Sequence, residues 1–252
     1  MENRRSSKAA GPATLVLLLL GGAAPLCAQL EASLAASTPA ASPDLARQAD
    51  ALLAQGRMRE AIPLYREWLK ANPGDATSQN RLGLSLQKTG QGSEARRHYE
   101  QATKLDRCYA EAWNNLGTLD HVRGKCKKAL GAYRKAVACR PDSALFQRNL
   151  GAAYLELGDV SRSARAFGEA LRLDPTVLDP VSGYGVSISG ARLARRYFEV
   201  ARSCAERGEL ENALRLLNRA HALGLDDFAR TVASERAFDG LLADPQLAEQ
   251  LR

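Results

Sequence analysis

Apolar and small residues recur at three- and four-residue spacing through most of this chain. The clearest stretch is Ala110–Pro141, AEAWNNLGTLDHVRGKCKKALGAYRKAVACRP. Trp113, Leu116 and Gly117 share one helix face. Gly124 breaks the run. Ala129, Tyr133 and Ala136 share a face of a second helix, and Pro141 stops it. The pattern predicts a helix–turn–helix with small residues where the two helices touch. One such pair cannot bury its own apolar face, so the pattern also predicts copies on either side.

The copies are present. Leu45, Leu52, Gly56, Ala61, Tyr65 and Pro73 form a first. Leu82, Gly83, Leu86, Gly90, Ala95, Tyr99 and Ala102 form a second, with Arg107 where a proline is expected. Leu150, Gly151, Tyr154, Gly158, Phe167, Ala170 and Pro175 form a fourth, with Ser163 in a small-residue position. Gly56, Gly90, Gly124 and Gly158 are 34 residues apart, as are Tyr65, Tyr99, Tyr133 and Phe167. These columns resemble the tetratricopeptide repeat (TPR) family, with its 34-residue period and its pattern W-x2-L-G-x2-Y, A-x3-F, A, P. The resemblance implies an all-α, right-handed solenoid of helical hairpins with four units, 42–75, 76–109, 110–143 and 144–177. Asp120 departs from the pattern, standing where the family carries a large apolar residue; Lys127 or Lys128 is its expected partner. Arg195 starts a fifth unit over 194–225, with Tyr197, Val200, Ala201, Gly208, Ala213, Leu217 and Ala220.

The flanking segments read differently. In residues 1–28, Arg4, Arg5 and Lys8 precede the apolar run Thr14–Leu20, and Cys27-Ala28 ends in a small residue. This predicts an export signal cleaved after Ala28, hence a periplasmic or envelope location. The alternative is an uncleaved N-terminal anchor, the only membrane contact expected. Leu26 is too bulky for a lipid-modified Cys27. The Ala/Ser/Pro-rich 29–41 reads as a disordered tether. Ser42-Pro43 marks the first helix start. Segment 176–193 is an irregular connection, with strand-like alternation over Val181–Ile188 broken by glycines. The tail, 226–252, carries Phe228, Val232, Phe238, Leu241 and Leu247 and restarts at Asp244-Pro245. It would cap the solenoid. It also resembles the tails of bacterial exported or envelope TPR proteins.

A formal net charge of +7 permits acidic peptides, nucleic acid or anionic surfaces and selects none. His98, His121 and His221 fall in separate copies without metal spacing. No phosphate-binding loop and no nucleophile–base pair is visible. No enzyme activity and no cofactor are expected. Nucleic acid is disfavoured, because Arg96-Arg97 and Arg195-Arg196 read as solvated helix faces without a stacking platform. Cys126 and Cys139 lie about 20 Å apart at opposite ends of one helix. Antiparallel packing brings Cys108 toward Cys139, so these two are a candidate disulfide; the other reading is a free Cys139 in a buried slot. Cys204 reads as inert packing.

The TPR resemblance implies that the first helix of each unit lines a concave groove. Its open face then carries Asn80, Arg81, Gln87 and Lys88; Asn114, Asn115, Thr118 and His121; and Arg148, Asn149 and Ala152. The asparagines would bond a peptide backbone, and Arg81 and Arg148 a carboxylate. Ala46 and Asp50 depart from the carboxylate clamp that some TPR domains use for chaperone tails. The expected function is a non-catalytic scaffold for a peptide or protein segment of acidic character. The alternative is a structural adaptor of an envelope complex, working through its convex face or residues 176–191.

Overall fold

The computed structural model describes residues 44–178 and 190–251. The expected signal, tether and first helix start, and the alternation at 181–188, lie outside them. Among the described residues every regular element is helical. Five hairpins follow in order: α1 (Asp44–Ala54) with α2 (Met58–Ala71), α3 (Ala76–Lys88) with α4 (Gly92–Leu105), α5 (Ala110–Val122) with α6 (Cys126–Cys139), α7 (Ala144–Glu156) with α8 (Val160–Leu173), and α9 (Gly190–Glu206) with α10 (Leu210–Ala222). A cap follows, made of α11 (Phe228–Ala233), a 3-10 turn (Arg236–Phe238), α12 (Asp239–Ala243) and α13 (Pro245–Glu249).

Local chemistry sets the ends of these helices. The Asp75 carboxylate accepts the Ser78 N–H at the start of α3, and Asp159 accepts the Arg162 N–H at the start of α8. Asp244 accepts from Gln246 and Leu247 before α13. Between α5 and α6 the chain turns at Gly124, whose φ of 70° lies in the left-handed region that glycine enters without steric cost. The Gly124 N–H reaches His121 O at 2.8 Å and the Lys125 N–H reaches Asp120 O at 2.8 Å, closing a Schellman end. The same turn recurs at Gly56, Gly90, Gly158 and Gly208, all with positive φ.

Hairpins close through a small residue facing a ring. A Cβ on Gly117 would sit 2.6 Å from the Tyr133 ring, and one on Gly83 would sit 2.7 Å from Tyr99. Tyr65, Tyr99, Tyr133 and Phe167 are fully buried or nearly so. Ser163 keeps its small-residue position by donating its hydroxyl to Gly151 O at 2.9 Å. Each second helix then packs on the first helix of the next unit, so the core lies between two helical layers, as clusters that half-buried residues such as Trp113 and Val137 bridge. Successive first helices approach one another more closely than successive second helices do, so the array curves with α1, α3, α5 and α7 inside.

The fifth unit departs from the expected boundary. Its first helix starts at Gly190, inside the predicted connection, and runs 17 residues against 13 for α3, α5 and α7. Val177 and Leu178, after α8, are buried against the fifth unit's core. The cap buries Phe238 and Leu241 completely, and Phe238 meets Phe198 edge to face at 5.4 Å. No helix among the described residues is long and apolar enough to cross a membrane.

Candidate functional site

The inner face is built from three parallel rows, one per first helix, each at i, i+3, i+7 spacing. They are Arg81–Leu84–Lys88 on α3, Asn115–Thr118–Val122 on α5 and Asn149–Ala152–Glu156 on α7. Within this grid the asparagines bond to each other. Asn115 Nδ2 donates to Asn80 Oδ1 at 3.0 Å, and Asn149 Nδ2 donates to Asn114 Oδ1 at 2.8 Å. Asn80 and Asn114 are buried; Asn115 and Asn149 are half-buried. Each amide bond thus joins one unit to the next. Because an amide carries two donor hydrogens and two acceptor lone pairs, Asn115 and Asn149 keep capacity for a ligand.

The charged candidates are largely engaged within the fold. Arg81 forms an ion pair with Asp50 on α1, and Asp50 also accepts the Tyr65 hydroxyl at 2.7 Å. Burial, then the Asp50 carboxylate beside it, pushes the Tyr65 phenol far above its ordinary range. Arg148 donates to Val177 O at 3.3 Å and to Asn149 Oδ1 at 3.4 Å. Glu156 meets Arg196 of α9 at 3.3 Å. Gln87 accepts the Tyr99 hydroxyl at 2.8 Å. Thr118 donates to Asn114 O at 3.0 Å and takes the Tyr133 hydroxyl at 3.3 Å. Burial pushes the Tyr133 phenol up to about 12. Lys88 is exposed.

His121 is buried rather than open to the groove. Its ring meets Tyr133 edge to face at 6.3 Å, and its Nε2 is buried without a hydrogen-bond partner. Burial holds the imidazole below its ordinary value, against the pull of the Glu156 carboxylate. His98 is held separately, with Nδ1 2.7 Å from Gln79 Oε1, and His221 stacks on Phe228. No cluster of His, Cys, Asp and Glu among the described residues is arranged to hold a metal ion.

Two expectations are corrected here. Asp120 pairs with Arg96 on α4, the preceding unit's second helix, and not with Lys127 or Lys128. Buried on its own, the carboxylate would be costly; with the guanidinium across the unit boundary it is matched. Arg96 and Arg196 are thus half-buried and engaged within the fold, Arg196 also donating to Leu155 O at 3.0 Å, while Arg97 and Arg195 are exposed as expected. Cys108 and Cys139 are joined in a disulfide with Cα atoms 5.3 Å apart, tying the entry of α5 to the end of α6. Cys204 is fully buried and its thiol is pushed up to about 12 by that burial, which leaves it without thiolate character near neutral pH. Sequence reasoning missed Val122, which ends the middle of the three inner rows with 76% of its surface exposed. The signal for it was the column one repeat to either side, Lys88 and Glu156, both polar.

A family model described as tetratricopeptide repeat matches residues 28–76, 80–144 and 122–177, more than half of the chain. Among curated proteins, the BBSome complex member BBS4 of Bos taurus is 29% identical over 139 residues, covering 55% of this chain. The match spans 27% of that protein's length. Among solved structures, pilF of Pseudomonas aeruginosa aligns over 84% of this chain and 88% of its own, with a TM-score of 0.54 and 17% identity. YrrB, described as a TPR protein with an unusual peptide-binding site, aligns over 77% of this chain and 92% of its own, with a TM-score of 0.53 and 18% identity. At these identities the two structures share the fold.

Proposed function

Because the chain belongs to the tetratricopeptide repeat family, we propose that it is a non-catalytic scaffold holding a peptide or protein segment against its concave face. The observation that carries this reading is the row on α5. Asn115 and Thr118 are half-buried, and Val122 beside them leaves 76% of a large apolar side chain in solvent. A segment lying along α3, α5 and α7 would cover Val122 and take backbone bonds from the spare amide groups of Asn115 and Asn149. Its acidic character rests on the positive charges that Arg81, Lys88 and Arg148 place along this face. YrrB, which shares the fold, is described as having a peptide-binding site.

We propose the same chain to be exported, to the periplasm or cell envelope, with its first 28 residues as the leader or as an anchor. The Cys108–Cys139 disulfide supports this, because such bonds persist in oxidising compartments. The test is crosslinking in the cell followed by mass spectrometry, with and without Val122→Glu. Val122 makes no core contact, so the variant should fold. Capture of the partner by the native chain and its loss in Val122→Glu is the expected result. Capture that survives the substitution would move the binding surface to the convex face, and recovery of cytosolic partners alone would overturn the location.

A further inference from the structure

On the outer side of the array, α4 and α6 leave a cleft of about 640 Å³ between their C-terminal halves. Thr103, Lys104 and Arg107 line one wall, Lys135 and Cys139 the other, and Trp113 the floor. The indole is fixed twice. Its N–H donates to Arg107 O at 2.9 Å, and the Lys135 ammonium stands 3.9 Å from its ring centroid. Lys104, Arg107 and Lys135 are exposed, and none has a carboxylate partner among the described residues. The one carboxylate in the lining, Glu100, is 3.6 Å from Arg96. The positive field extends along α6, where Lys128, Gly131, Lys135 and Ala138 form one ridge with Lys127 and Arg134 beside it. The helix contains no acidic residue. The disulfide ties Cys139, in one wall of the cleft, to Cys108, the residue after Arg107 in the other.

We propose that this cleft is a second protein-binding site, for an acidic segment that sets an apolar side chain between Trp113 and Ala138. Its carboxylates meet Lys104, Arg107 and Lys135. Charge complementarity selects the sign of the partner, and the recess selects its class. A lipid surface is flat and does not reach an indole at the floor of a cleft. A single-stranded nucleic acid would stack its bases on an open ring, and here Lys135 covers the ring face. This site shares no residue with the concave rows and stands whether or not they bind.

The test is titration calorimetry with an acetylated, amidated peptide of three glutamates, one leucine and three glutamates. The expected result is saturable one-to-one binding that weakens as salt rises from 10 to 100 mM, where the screening length falls from about 30 Å to about 10 Å. Lys104→Glu with Lys135→Glu should weaken it about tenfold or more, with the helical circular dichroism unchanged. Lys104→Ala with Arg107→Ala should weaken it as well, and Val122→Glu should leave it unaltered. Absence of saturable binding, or equal binding by the charge-reversed chain, would sink the proposal. So would loss of binding in Val122→Glu, which would place the peptide in the groove. Displacement of the peptide by anionic phospholipid vesicles or by duplex DNA at lower concentration would overturn the partner class.

Discussion

His121 places a ring nitrogen in the interior with nothing to bond it. A buried unsatisfied polar atom costs about 1–3 kcal/mol. Leu155 occupies the same position one repeat later and is fully accommodated. His121→Leu should therefore raise the melting temperature by about 2–4 °C, taking about 1 kcal/mol gained in a domain of this size. The effect should depend on pH. The folded imidazole lies below its ordinary value of 6.5 because it is buried. As pH falls past that ordinary value, the unfolded chain takes up the proton and the folded chain does not. The native contribution is thus complete above 6.5 and is lost as pH drops toward the lowered value. Melting curves between pH 7.5 and 5 should show the native chain losing more than His121→Leu; parallel losses would mean that His121 is not what titrates. The residue scale also shows what the sequence hid. Arg96 stands 24 residues before Asp120 on a helix that reads as solvated, and no local pattern joins them. The asparagines were visible at a 34-residue spacing that suggested a shared ligand. Their bonds run at 35 residues, joining one asparagine column to the other across a unit boundary.

At the scale of the element, the glycines of the helix pairs have two different jobs that residue identity alone does not separate. Gly117 lies where α5 presses on the Tyr133 ring, and a methyl there would meet ring carbons at 2.6 Å. Gly131, on the exposed side of α6, would gain a methyl with nothing within 4 Å. Gly117→Ala should destabilise by about 1–3 kcal/mol through overpacking. Gly131→Ala should stabilise by about 0.5–1 kcal/mol through backbone entropy. Chemical denaturation of the two variants checks both signs; a stabilised Gly117→Ala would mean that the ring can move aside. This division explains why the hairpins were legible in the sequence. Turn glycines and ring-facing small residues answer to sterics within one unit, so they recur in fixed columns. The start of α9 was less legible. The column pattern places Ala201 and Gly208 but is silent on how far a helix extends before its first packed residue.

For the whole molecule, neighbour-to-neighbour packing means that each unit is held chiefly by the units beside it. The Arg81–Asp50 and Arg96–Asp120 pairs and the two amide bonds all cross unit boundaries. The disulfide acts within one hairpin instead: it ties the linker just before α5 to the end of α6, over a separation of 31 residues. Its effect on heat stability is the familiar one, about 3–4 kcal/mol for a loop of this length. Its effect under tension is of another kind. A chain pulled from its two ends transmits force through the sulfurs, from Cys108 to Cys139, and leaves the residues between them slack. The third hairpin then withholds about 100 Å of contour, at about 3.3–3.6 Å per extended residue. In an optical trap the fully extended oxidised chain should be shorter than the reduced chain by that amount, and equal lengths would show that the bond is absent. Residues 109–138, which carry the middle inner row together with the floor and one wall of the outer cleft, are thereby a stretch that mechanical load bypasses.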